Sequence, residues 1–144
     1  MTKRKVLFLC THNACRSQIA EALVNSEFSG TWVAFSAGSK PAKEVHPLAL
    51  QVLAEQGISH QGQPKSINEF RGQPFDLIVI VCEDNSEDCP VWLGKGKQVH
   101  MAFPDPALAT GNEEERLAVF RKVCNDLRTG IFPIIQTLNT KEKI

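Results

Sequence analysis

No run in these 144 residues approaches the roughly 20 consecutive apolar positions that a membrane span needs. The first residues likewise lack the apolar core and small-residue cleavage site of a secretory leader. Neither sign of charge is in excess, since 16 Lys and Arg balance 16 Asp and Glu, so no electrostatic footprint for nucleic acid is present. Lys3-Arg4-Lys5 is too short, and too close to the first apolar run, to serve as a binding arm. Tyrosine is absent altogether. The five cysteines are odd in number and lack the close pairs or histidine partners of a zinc site. A structural disulfide framework is not expected in a chain able to bury its own core. What remains is a cytoplasmic enzyme, one catalytic domain over residues 1–144, with no bound metal or cofactor and with cysteines suited to redox chemistry.

The informative stretch is Cys10-Thr11-His12-Asn13-Ala14-Cys15-Arg16-Ser17, which follows the apolar run Val6 to Leu9 and precedes a helical pattern. A loop of this kind, curled over an anion, turns its successive backbone N–H groups inward. The N-terminus of the next helix adds partial positive charge and unpaired donors. Arg16 can grip two oxygens of a tetrahedral oxyanion with its planar fork. Cys10, at the mouth of this electropositive cup, is placed to act as a thiolate nucleophile on the central atom.

Strands alternate with helices along the chain. Lys5 to Leu9 reads as a first buried strand, and Ile19, Ala20, Leu23, Val24 and Phe28 mark the apolar stripe of the helix after it. Thr31 to Ala37 is a second strand. Pro47 opens a helix that runs to about Gln56 and ends at Gly57. Ser66 and Glu69 resemble a capping box for a short helix. Phe75 to Val81 is the third strand and Gln98 to Met101 the fourth. A long helix from about Asn112 carries the stripe Leu117, Phe120, Cys124, Leu127, Ile131, Ile134 and Leu138, with Gly130 and Pro133 as candidate kinks. The expected fold is α/β, a four-stranded parallel sheet in the order 2-1-3-4 with helices on both faces.

In such sheets ligands bind beyond the carboxyl ends of the strands. Cys10 and Cys82 end the first and third strands, which this order makes neighbours about 5 Å apart. Asp105, after the fourth strand, reaches the same edge and can protonate a leaving oxygen. Cys82 and Cys89 would lie about 10 Å apart on a helix, beyond the roughly 7 Å that a disulfide tolerates. Bonding them would require the polar segment Glu83 to Asp88 to curl or unwind, at little cost.

Taken together, Cys10 to Ser17, the Cys82 and Cys89 pair, and Phe103-Pro104-Asp105-Pro106-Ala107 with Ala109-Thr110-Gly111 resemble the thioredoxin-coupled arsenate reductases, whose fold is that of the low-molecular-weight protein tyrosine phosphatases. The resemblance spans essentially the whole chain. It implies that Cys10 attacks arsenate, held by Thr11, His12, Asn13, Ala14, Cys15, Arg16 and Ser17, and that Ser17 hydrogen-bonds the Cys10 thiolate. Asp105 would protonate the departing hydroxide. Cys82 would then attack Cys10, releasing arsenite, and Cys89 would attack Cys82 and pass the disulfide to thioredoxin; glutaredoxin is the less fitting reductant, because a second cysteine in the same chain resolves the intermediate. The protein would act as a monomer.

The sequence departs from the family at two places. His12 stands where glycine is usual. Some members bind potassium through residues matching Asn13, Glu21 and Ser36 plus an aspartate, which here is replaced by Lys65; an ammonium paired with Glu21 would take the cation's place. Asn13 is expected to brace the loop, Cys15 and Cys124 to pack inside, Trp32 to join the core, and Trp92 to pack the 83–88 segment. His46, His60 and His100 have no evident partners. Two other readings remain. A phosphatase of the same fold would hydrolyse phosphate monoesters through a Cys10 thiol-phosphate, but Ala107-Leu108 and the lack of tyrosine leave nothing to clasp an aromatic substrate. A redox-switched binding protein would leave Arg16 and Asp105 without a purpose.

Overall fold

The computed structural model describes residues 2–83 and 89–142, with side chains through residue 139. Four parallel strands, β1 (Arg4–Cys10), β2 (Trp32–Gly38), β3 (Leu77–Ile80) and β4 (Lys97–His100), form one sheet in the order β2-β1-β3-β4. The expected order is the observed one. Strand alternation sorts β1 between two cores. Val6, Phe8 and Cys10 face α1 (Arg16–Glu27), α2 (Pro47–Glu55) and α3 (Glu113–Glu142) on one side. Leu7 and Leu9 face the other side, which is covered by a 3-10 helix at Ile67–Phe70 together with Phe75 and Trp92. With both faces covered, the strand has to be apolar at every position from Val6 to Leu9, and it is.

Several local expectations are refined. The short helix expected after Ser66 is a 3-10 helix, which Ser66 caps by accepting from the Asn68 N–H at 3.1 Å. Gly130 and Pro133 do not break α3, which continues through both. A Cβ at 130 would come within 3.3 Å of the Phe103 ring and 3.4 Å of the Met101 methyl, so glycine lets α3 close onto the segment after β4. Pro133 sits on the exposed side. The buried stripe of α3 ends in Ile131 and Ile135, whereas Ile134 and Leu138 are half-buried beside Lys97. Trp92 is buried against Phe75, with ring centroids 5.7 Å apart. What was expected of residues 84–88 lies outside the described residues. Trp32 and Cys124 are core, as expected. Among the described residues no helix is long and apolar enough to cross a membrane.

Candidate active site

The β1–α1 loop is held open from behind. The carbonyls of Cys10, Thr11, His12 and Ala14 accept hydrogen bonds from the N–H groups of Ser39, Lys40, Ala42 and His46, at 3.3, 2.8, 2.9 and 3.0 Å. In a trans peptide the N–H points opposite to the carbonyl before it. Carbonyls tied outward therefore turn the amides of Thr11, His12, Asn13 and Cys15 inward. The Asn13 N–H meets the Cys10 sulfur at 3.2 Å, as this requires. Asn13 takes a left-handed φ of 53°, alone among described residues other than glycine, a conformation that asparagine tolerates better than most. Gly38 pairs with Cys10 across β1 and β2, and a Cβ there would lie 2.5 Å from the Thr11 carbonyl oxygen. The close approach of β2 to the loop thus demands glycine.

Helix α1 begins directly behind the loop. Its N-cap, Cys15, makes no side-chain cap, and its first turn has no acidic residue. The positive end of the helix is therefore left for an anion from outside. Arg16 is buried, with Nη1 donating to the Phe103 carbonyl at 3.0 Å and Nη2 3.8 Å from Asp105. Asp105 is itself anchored, its Oδ1 accepting from the Ala107 N–H at 3.0 Å. Cys10, His12, Ala14, Cys15, Arg16, Asp105 and Ala107 line a cavity of about 30 Å³. That is an order of magnitude below the ~300–1,000 Å³ of an ordinary organic-ligand pocket. The cavity suits a small inorganic anion.

The two cysteines at this cavity differ in chemistry. The Ser17 hydroxyl lies 2.7 Å from the Cys10 sulfur, beside the Asn13 amide. Cys15 is pushed well above the usual thiol range, by burial first and then by Asp105 and Cys10, against a smaller opposing effect of Arg16. Cys15 stays a thiol. Cys10 is the one supplied with donors for a negative sulfur.

Cys82 lies beside this site. The Val81 N–H donates to the Leu9 carbonyl at 2.9 Å, so the chain enters Cys82 next to where β1 delivers Cys10, and both cysteines belong to one buried cluster. The His100 Nε2 donates to the Cys82 carbonyl at 2.7 Å, pinning this strand end. Cys82 is disulfide-bonded to Cys89, with Cα atoms 6.0 Å apart. That separation lies within the roughly 7 Å that a disulfide tolerates. Cys82 is fully buried and Cys89 half-buried.

Asn13, Glu21, Ser36 and Lys65 converge as well. The Lys65 ammonium lies 3.9 Å from Glu21, which accepts from the Ser36 hydroxyl at 2.7 Å, and the Lys65 backbone N–H donates to the Asn13 Oδ1 at 2.8 Å. With a tethered cation already at the carboxylate, these residues do not fit a bound potassium ion. His12 holds its Nδ1 against the Lys40 carbonyl at 3.1 Å.

Four residues, His46, Gln18, His60 and His100, escaped the sequence reading. His46 caps α2 by accepting from the Leu48 N–H at 3.1 Å, and its ring packs on Phe120. Gln18 is fully buried and bonded to His60, and His100 holds the Cys82 carbonyl. Only Gln18 carried a signal, as a polar residue in the first turn of the helix that follows the loop, one position before the apolar stripe begins at Ile19.

The sequence matches the family described as low molecular weight phosphotyrosine protein phosphatase over residues 5–144. A protein of Halalkalibacterium halodurans named arsenate reductase is 36% identical over 138 residues, covering 95% of this chain and 99% of that protein. Among solved structures, arsenate reductase from Archaeoglobus fulgidus superposes with a TM-score of 0.69 at 33% identity, over 86% of this chain and 96% of that one. A thioredoxin-dependent arsenate reductase of Corynebacterium glutamicum gives a TM-score of 0.61 at 28% identity, over 94% of this chain and 63% of that one.

Proposed function

The chain belongs to the low molecular weight phosphotyrosine protein phosphatase family, and on that premise we propose that it is an arsenate reductase driven by a three-cysteine relay. One observation carries the reading: a sulfur ringed by inward amides sits beside the buried end of a second cysteine that is already joined to a third. A hydrolase needs only the first sulfur. A redox relay uses all three.

Arsenate enters the cup as a tetrahedral oxyanion, with Arg16 and the amides of the Thr11 to Cys15 loop on its oxygens. The Cys10 thiolate bonds to arsenic, and one hydroxyl of the arsenate leaves as water on taking a proton from Asp105. The Cys82 thiolate then attacks the Cys10 sulfur. The sulfur–arsenic bond breaks and its electron pair stays on arsenic, which falls from the +5 to the +3 state and departs as arsenite. A Cys10–Cys82 disulfide remains. The Cys89 thiolate attacks Cys82 and expels Cys10 as a thiolate, ready for the next anion. Of the final Cys82–Cys89 pair Cys89 is the more exposed residue, which suits an external dithiol. We assign thioredoxin to that role, with glutaredoxin the lesser candidate, and the reducing cytoplasm as the place of action for a monomeric enzyme.

The test is a coupled assay containing thioredoxin, its reductase and NADPH. Adding arsenate should start NADPH consumption, and Cys89→Ser should give one turnover and then stop. Mapping after one equivalent of arsenate should find Cys10 bonded to Cys82 in that variant. Rapid hydrolysis of an aryl phosphate, with no NADPH use on adding arsenate, would replace this reading with a phosphatase.

A further inference from the structure

The cup is built of donors, but the anions of a size to fit it differ in one respect. Near neutral pH arsenate and phosphate carry at least one hydroxyl hydrogen, whereas sulfate, of the same shape, carries none. A bound hydroxyl needs an acceptor as much as bare oxygens need donors. The carbonyls of Cys10, Thr11, His12 and Ala14 are tied outward, and the Cys15 carbonyl accepts from the Ile19 N–H at 2.9 Å. Of the residues that line the cavity, Arg16 has no acceptor to give, and Ala14 and Ala107 have no polar side-chain atom. Cys10 is committed as the nucleophile and Cys15 stays a thiol. Asp105 and His12 remain.

Asp105 is already engaged. Its Oδ1 accepts from the Ala107 N–H at 3.0 Å, its Oδ2 lies 3.8 Å from the Arg16 Nη2, and in the relay it supplies a proton. His12 is differently placed. Its Nδ1 meets the Lys40 carbonyl at 3.1 Å, and a carbonyl can only accept, so the proton of the neutral ring sits on Nδ1. Nε2 then carries a lone pair, and it has no partner among the described residues. The His12 carbonyl accepts from the Ala42 N–H at 2.9 Å. Ring and backbone are both fastened to the same stretch, so the acceptor is held in place before an anion arrives.

We propose that His12 is a specificity-determining residue, whose Nε2 accepts the hydrogen of a bound hydroxyl and so favours hydrogen-bearing tetrahedral oxyanions over bare ones such as sulfate. The proposal rests on the reading of the cup as an oxyanion site. With sulfate bound, the Nε2 lone pair would face an oxygen lone pair with no hydrogen between them. Leaving an acceptor unsatisfied in a closed contact costs more than a satisfied one gains.

The test is protection of Cys10 from iodoacetamide by sodium phosphate and by sodium sulfate, in the reduced full-length protein at fixed ionic strength. Mildly alkaline buffer gives both anions two charges, so that they differ by one hydrogen. Mass spectrometry, with fragmentation to separate Cys10 from Cys15, yields the concentration of each anion that halves the labelling rate. Phosphate should protect at about one tenth of the sulfate concentration. His12→Phe keeps a ring and removes the acceptor, and should shrink that preference about fivefold, as should His12→Gly. His12→Gln should retain most of it, because an amide can donate to the Lys40 carbonyl and still present an oxygen. Equal protection by the two anions in the unmodified protein overturns the proposal. So does a His12→Phe variant that weakens both anions alike and leaves their ratio unchanged, which is what a merely structural role would give. If arsenate drives no NADPH consumption, the reductase reading fails while this ratio still decides the role of His12. If neither anion protects Cys10, the oxyanion cup fails and the proposal with it.

Discussion

Gly38→Ala isolates the contact that shapes the loop without touching a residue that meets substrate. The new methyl would sit 2.5 Å from the Thr11 carbonyl oxygen and 3.1 Å from both the Asn13 nitrogen and the Cys10 oxygen. All three are backbone atoms, so no rotamer change relieves the clash. Overpacking of this kind costs about 1–3 kcal/mol, while alanine stiffens the unfolded chain and returns about 0.4–1 kcal/mol. The net loss should be about 1–2 kcal/mol, read as a lower urea midpoint at an unchanged slope. Activity should fall much further. The Asn13 nitrogen that is pushed is the donor to the Cys10 sulfur, and a displacement approaching 1 Å in a catalytic group costs about a hundredfold in rate. Gly30→Ala is the control, because nothing lies within 4 Å of a Cβ there; it should be neutral or slightly stabilising with full activity. If Gly38→Ala matched Gly30→Ala in both stability and arsenate turnover, the account of a loop shaped from behind would be wrong.

Ser17→Ala removes the hydroxyl 2.7 Å from the Cys10 sulfur and should lower kcat/KM for arsenate by about ten- to a hundredfold, the worth of a hydrogen bond to a charged group; steady-state kinetics check it. Leu127→Ala empties a fully buried site on α3 and should cost about 2–5 kcal/mol in urea unfolding with little change in KM. His46 and His60 are both held below the ordinary histidine range, each chiefly by burial. Each therefore binds fewer protons folded than unfolded, and stability rises with pH. That contribution should be complete above about pH 6.5, the unfolded value, and be lost as pH falls from there through the lower folded values. Urea midpoints measured across this range should show the slope, and His46→Asn with His60→Gln should flatten it.

The parts of this molecule legible in the sequence are those set by local pattern. Val6 to Leu9 announces a strand buried on both faces, and Pro47 announces the start of α2 because its ring suits a first helical turn. The spacing from Cys10 to Arg16 announces the loop, since strand, curl and helix leave little other use for those residues. Features that depend on distant backbone were hidden. His100 holds a carbonyl 18 positions away, and His60 reaches a glutamine 42 positions away. A histidine carries no mark of such a partner. The end of the α3 stripe was misread for a simpler reason: alternating steps of three and four drift from 3.6 residues per turn, so Ile135 is buried where Ile134 was expected. Trp92 belongs to the second core because Phe75 is already there, which only the pairing of β1 with β3 could reveal.

The outward tethering of the loop carbonyls to the stretch from Ser39 to His46 has a consequence for how variation in this enzyme should be judged. An oxyanion arriving at the cup finds its donors already aimed and has no chain to organise, so its binding energy is free to act on the reaction itself. The responsibility for that readiness falls on residues that never approach the anion. Changes between 39 and 46 should therefore look, in kinetics, like damage to the catalytic centre, while a map of ligand contacts would pass them over as ordinary surface.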